Sequence, residues 1–392
     1  MGSRRHSSLI AVDYGSATVR LLQVEAGHVT ALELPCEIFA ADPMNGSDDP
    51  GGLAEDLERL LRENGIRNTR CAVTLPASAF LVDTVPMPEL DEEERLESLA
   101  VEAVDRFGVD PNEVTVAALP LRVASAADIA SPAPASTPAG PTGGAVSAPG
   151  PVALAPPAAP APSSAPIANA PSSPAPAATP GTEHLLIAVR RSTAMRALDP
   201  LLRAKLVPVR LESAALAGLR TAWCHWSRQV DGAIAFVHVE PTMAAMLLAR
   251  DGELLFHRAI AGSFGVPRVA PATSDSVDPD AIPVEVRSLG ADRRAFRWSG
   301  LADEILQCLR YVERRSAGQW PAALVTSGPC AGQVELLATL ESICGVPSHA
   351  VTAAGVVDPL PATLSPSIWA AALGSAAVDL VAAPAERERR AA

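Results

Sequence analysis

Residues 9–29 read LIAVDYGSATVRLLQVEAGHV, and residues 234–254 read IAFVHVEPTMAAMLLARDGEL. Laid side by side without a gap, Val12 meets Val237, Asp13 meets His238, Leu22 meets Leu247 and Gly27 meets Gly252, always 225 positions apart. Each copy reads as a short apolar strand, a tight turn, a longer apolar strand and a glycine turn into a third strand. Two hairpin units on one plan predict two lobes whose first turns face a shared cleft. The copies part chemically at that turn. The first has Asp13-Tyr14-Gly15-Ser16, the second His238-Val239-Glu240-Pro241.

A chain of 392 residues, 48% apolar, is long enough for two domains with real cores, while 37 prolines and 4% aromatics place part of it outside any core. A net charge of −13 argues against nucleic acid as a partner, because phosphate neutralisation needs a basic footprint. Lys205 is the only lysine, which leaves no P-loop lysine and no polybasic membrane patch. The six cysteines have no CxxC spacing, so buried thiols are expected rather than a metal or disulfide framework. The N-terminus MGSRRHSS lacks the apolar core of a signal peptide, and no uncharged apolar run reaches membrane-spanning length. A soluble, cytoplasmic protein is expected.

Strand-like runs at 9–14, 17–25 and 29–36 form the first unit. Residues 52–64 carry Leu53, Leu57, Leu60 and Leu61 at helical spacing, and RCAVTLP follows as a strand. Asp91 is placed to cap a helix whose acidic first turn, 92–94, suits the positive end of the dipole. EVTVAALPLRVAS is read as a strand. Residues 125–182 are then Ala, Pro, Ser, Thr and Gly with almost no charge and no aromatic side chain, a composition that predicts a disordered tether. EHLLIAVRR at 183–191 can pair with 113–123, which makes the tether one enlarged hairpin loop. Helix 192–205, broken or kinked at Pro200, strand 206–212 and helix 213–226 close the first lobe. In the second, residues 267–297 are read as irregular, followed by helix 299–315, strand 322–329, helix 333–345, strand 346–352 and a closing helix from 367 to about 381.

Five stretches resemble the type IV pilus assembly protein PilM family of the actin-like ATPase superfamily. They are AVDYGSATVRLLQV, TLPASAFLVDTVPMPELDEEERLESLAVEAV, DRFGVDPNEVTV, LIAVRRSTAMRALDPLLRAKLVPVRLESAALAGLRT, and the second-lobe pair AIAFVHVEPTMAAMLLARDGELLFHRAI and LADEILQCLRYVERR…ALVTSGPCAGQVELLATL. The resemblance implies a mixed α/β, two-lobed actin-like fold. Its expected parts are a first lobe at 8–84 and 193–228, a small inserted subdomain at 85–192, and a second lobe at 229–382 with a reduced helical subdomain.

In such a fold ATP and Mg²⁺ bind between the two turns. The resemblance assigns Asp13 to the hydrated metal, and Gly15, Ser16 and Thr18 to the phosphates. Taken alone, Asp13 to Ser16 is an ordinary hairpin turn, since Asp and Gly are favoured there. Two further turns depart from the family pattern. Its usual Asp-x-Gly becomes His238 and Glu240, and its glycine-rich adenosine turn becomes Ser327-Gly328-Pro329. Glu240 still offers a carboxylate to a metal through water, but it crowds and repels phosphate. His238 reads as a satisfied buried histidine. Weak or absent nucleotide binding, without hydrolysis, is therefore expected.

By resemblance the chain is a cytoplasmic adaptor, recruited to the inner membrane by the cytoplasmic tail of a PilN-like protein, which docks beside the small subdomain, and linked to pilus motor ATPases. A GspL-like secretion component is the near alternative; those usually carry a transmembrane helix after the actin-like part, whereas this chain ends at AERERRAA. An active sugar or acyl kinase on the same fold is the alternative of another class. An FtsA-like filament protein is a further one, disfavoured by a C-terminus ill-suited to an amphipathic membrane helix.

Overall fold

The computed structural model describes residues 9–25, 28–39, 50–88, 90–121, 182–264, 284–315, 320–357 and 360–378. The proline- and alanine-rich tether and the C-terminal tail lie outside them.

Three strands open the chain, β1 (Ile10–Tyr14), β2 (Thr18–Glu25) and β3 (His28–Pro35). They pair as an antiparallel meander, and β4 (Arg70–Leu75) and β8 (Val207–Ser213) add in parallel, giving the order β3-β2-β1-β4-β8. The second lobe repeats the plan with β9 (Ile234–Val239), β10 (Met243–Arg250), β11 (Glu253–Ala261), β12 (Ala323–Ser327) and β13 (Ser348–Ala350), in the order β11-β10-β9-β12-β13. The repeat extends to register. Asp13 faces Arg20 and Tyr14 faces Val19; shifted by 225, His238 faces Ala245 and Val239 faces Ala244. The third strand keeps the same register next to its turn and then slips by one residue at a bulge beside Leu248 and Ala249.

β1 and β9 are buried along their whole length, which is why, Asp13 and His238 apart, they read as apolar runs rather than alternating ones. Their two faces enter different cores. Ile10, Val12 and Tyr14 pack with Leu57 and Leu61 of α1 (Pro50–Glu63) and with Ala197 and Leu201 of α3 (Arg191–Arg203). Ala235, Val237 and Val239, the same face of the second copy, pack with Leu301, Ile305 and Leu309 of α5 (Val284–Arg315) and Leu336 and Leu340 of α6 (Val334–Cys344).

The opposite faces hold a surprise. Ala11 and Leu22 of the first sheet are covered by Trp369, Ala372 and Leu373 of α7 (Pro366–Ala376), the last described helix. Ile234, Phe236 and Leu247 of the second sheet are covered by Ala215 and Ala222 of α4 (Ala214–Trp226). Each closing helix thus sits on the other half's sheet, where the sequence placed it on its own. Both helices are rich in small apolar residues all round, so no polar face betrays which sheet they will choose. They cross at Gly374, where a Cβ would lie 1.8 Å from the Ala217 carbonyl oxygen.

Between α1's lobe and its return lies a three-stranded sheet, β5 (Phe80–Met87), β6 (Val114–Pro120) and β7 (Thr182–Arg190), in the order β5-β7-β6. β6 and β7 pair antiparallel on either side of the tether. Against this sheet packs α2 (Glu92–Phe107), through Leu99 and Ala103. Asp91 caps α2 by accepting from Glu93 N–H at 3.0 Å and Glu94 N–H at 2.9 Å.

Three sequence expectations need correction. β5 was not foreseen as a strand; Pro86 within it removes a ladder donor and hid it. α3 runs on through Pro200 to Arg203. Of the stretch 267–297 expected to be irregular, 284–297 is the first part of α5, and the remainder lies outside the described residues. No described helix is long and apolar enough to cross a membrane.

Candidate functional site

The two hairpin turns do face each other. Asp13, Gly15 and Ser16 from the first lobe, and Glu240, Pro241 and Gly328 from the second, line one cavity of about 40 Å³. Thr18 is not among its lining residues; its backbone oxygen accepts from Gly15 N–H at 2.8 Å and its buried hydroxyl has no hydrogen-bond partner. Ser327 stands behind the wall and reaches the cavity through His238.

Asp13 is buried at the end of β1. Its Oδ1 accepts from the Thr74 hydroxyl at 2.7 Å, and its Oδ2 meets Arg20 Nη1 at 3.3 Å. Arg20 is directly opposite on β2, and its Nε donates to Glu33 at 3.0 Å. Burial raises the Asp13 carboxyl above its ordinary value, and Arg20, Thr74 and His238 work against that rise.

The second carboxylate is engaged as well. Glu240 leaves the end of β9 and crosses to the first lobe, where its Oε1 accepts from Ala77 N–H at 2.5 Å and its Oε2 from Ser78 N–H at 3.3 Å. His238 Nε2 lies 3.3 Å from Glu240 Oε1, and its Nδ1 lies 2.8 Å from Ser327 Oγ. Next to Ser327, Gly328 has φ +99°, and a Cβ there would meet the Val239 carbonyl oxygen at 2.3 Å. Only glycine fits that close approach of β12's end to β9.

The sequence did not single out Arg20, Thr74 or the amides of Ala77 and Ser78. A signal for Arg20 was present: it is a lone charge inside an apolar strand, at the position a tight hairpin sets opposite Asp13.

Beside the small sheet lies a larger groove of about 570 Å³. Leu121 and Leu185 line one wall, Phe256 of β11 and Tyr311 and Val312 of α5 the other. Arg315, at the end of α5, pairs with Glu183 of β7 across it and also donates to the Tyr311 hydroxyl at 2.9 Å. His257 lies in the wall, and burial pushes its imidazole down to about 4.

Two lobes with repeated five-stranded sheets, a small inserted sheet and crossed closing helices are the actin-like ATPase fold. Among solved structures, the chain is similar to one in a PilM-PilN type IV pilus biogenesis complex. That likeness has a TM-score of 0.63 and 18% identity, and covers 94% of this chain and 97% of that one. An actin-like ATPase-fold protein of unknown function from Bacteroides thetaiotaomicron VPI-5482 aligns over 89% of this chain and 93% of its own, with a TM-score of 0.41 and 10% identity. The cytoplasmic domain of EpsL, an inner membrane component of the type II secretion system of Vibrio cholerae, aligns over 64% and 71%, with a TM-score of 0.34 and 12% identity. No protein-family model matches the chain, and no curated protein matches it by sequence.

The fold implies ATP with Mg²⁺ in the cleft, and the residues present do not fit them in this arrangement. Asp13 already bears the guanidinium cation of Arg20, and the Glu240 carboxylate occupies the amides of Ala77 and Ser78 with negative charge. A cavity of about 40 Å³ holds a water or two, not a triphosphate.

Proposed function

We propose that this chain is an adaptor of type IV pilus assembly that binds the cytoplasmic tail of a PilN-like inner-membrane protein, and that ATP hydrolysis is not its activity. On this reading it is cytoplasmic, comes to the membrane through that partner, and connects it to the pilus motor ATPases. The observation that carries the proposal is the match over 94% of the chain to the structure from a PilM-PilN complex. The groove beside the small sheet supports it: its mixed lining sets Leu121, Leu185, Phe256 and Tyr311 to receive a short peptide's apolar side chains, and charged groups such as Asp83, Glu304 and the Glu183–Arg315 pair to meet its backbone or terminus. The committed carboxylates of the cleft support the second half.

Two titrations test it. A labelled peptide copying the N-terminal tail of a PilN-like neighbour should bind the full chain in fluorescence anisotropy. Tyr311→Ala should weaken that binding about tenfold, ~1.4 kcal/mol, as the loss of an aromatic anchor does. No binding at millimolar protein would refute the partner assignment. Calorimetry with ATP and Mg²⁺ should give no saturable heat, in wild type or Asp13→Ala; micromolar affinity with turnover would refute the non-enzymatic half and favour a kinase-type activity.

A further inference from the structure

A nucleotide held between two such turns would present a cation to Asp13 and oxyanions to backbone amides. Here the chain supplies both charges itself. Arg20 puts a guanidinium on Asp13, and Glu240 puts a carboxylate on the Ala77 and Ser78 amides. The second contact matters more, because it spans the lobes: Glu240 leaves the second sheet, whereas Ala77 and Ser78 follow β4 of the first.

We propose that Glu240 is a built-in latch, an internal anion that holds the second lobe on the first without any ligand between them. The shorter of its two bonds, to Ala77, is buried on both sides, with Glu240 6% and Ala77 7% exposed, so water competes little for it; Ser78, the second partner, stands at the exposed edge. His238 and Ser327 brace it from behind, tying the carboxylate to the end of β12. The same run of Ser327, His238 and Glu240 has the order of a nucleophile, a base and an orienting acid. Its first member is closed to a substrate, because Ser327 is fully buried. The latch replaces the glycine expected at this turn by a side chain that reaches across.

The inference deepens the non-enzymatic half of the proposed function and is independent of the groove. Its test is hydrogen exchange, followed by mass spectrometry, on the full chain as wild type, Glu240→Gln and Glu240→Gly. Loss of the latch should speed exchange of the amides at 77 and 78 at least about tenfold in Glu240→Gly. Exchange in β6 and β7 should stay at the wild-type rate, which separates unlatching from unfolding. Glu240→Gln, nearly isosteric but with one oxygen replaced by a donor, should fall between the two. Equal exchange at 77 and 78 in wild type and Glu240→Gln would overturn the latch even if the glycine variant fails to fold. The tail-peptide titration on wild type does not involve Glu240, so failure there touches only the groove.

Discussion

Replacing Gly374 by alanine should strike the point where the two closing helices touch. The added Cβ would lie 1.8 Å from the Ala217 oxygen, 2.7 Å from its carbonyl carbon and 2.9 Å from Thr221 Oγ1. Relaxed C···O contacts sit at about 3.3–3.6 Å, so α4 and α7 must part by about 1.5 Å. That movement stretches two contacts between them, the Thr221 hydroxyl to Ala370 O at 2.7 Å and Arg220 Nε to Gly374 O at 3.2 Å. Overpacking costs about 1–3 kcal/mol, and each hydrogen bond lost about 1 kcal/mol more. Alanine's better helix propensity returns about 1 kcal/mol, for a net loss of about 2–4 kcal/mol. Gly300 of α5 is the internal control: a Cβ there meets nothing within 4 Å, so Gly300→Ala should gain about 0.5–1 kcal/mol. Urea unfolding of both variants against wild type measures the difference. A Gly374→Ala protein within 1 kcal/mol of wild type would show that the helices do not cross as closely as described.

Two further expectations concern the groove and the small sheet. His257 is held neutral by burial, with its folded value near 4 against an ordinary 6.5, so the unfolded chain takes up a proton first as pH falls. Its contribution is fully present above pH 6.5 and is lost on the way down to about pH 4. Urea unfolding from pH 7 to 4.5 should therefore show a steeper loss in wild type than in His257→Gln, and parallel slopes would refute the assignment. Asp91→Ala removes the acceptor for the Glu93 and Glu94 amides and should cost about 0.5–2 kcal/mol by the same assay, whereas an unchanged midpoint would mean that water replaces the cap.

Much of this architecture was legible in the residues. The ungapped echo from Asp13 to His238 predicted two matching hairpins, and their strand register agrees with it residue for residue. Asp91 marked the start of α2, because its side-chain oxygen is a local signal, whereas Gly108, which ends the helix with a left-handed φ of 61°, was not read as its cap. What stayed hidden depends on distant partners. Nothing local tells an alanine-rich helix such as α7 which sheet it will cover. The first part of α5 is too polar to show an apolar stripe, and Pro86 disguised β5. At the site, Asp13, Gly15, Ser16, Glu240 and Gly328 were singled out and do converge on one cavity. That Glu240 reaches two amides of the other lobe was not legible, since only the packed lobes bring position 240 to position 77.

The crossed helices make the molecule a domain swap closed within one chain. Two halves of like topology each lend the other their last helix, as two protomers exchange an arm. A ribosome that has released β1 to β8 has made a sheet whose Ala11 and Leu22 face lacks its cover, and Trp369 follows only after the whole second sheet has been made. α4 is made earlier and must wait for Phe236 and Leu247. Cutting the chain between Trp226 and Ile234 would therefore not yield two domains. It would yield two complementary fragments, each stable only in the company of the other.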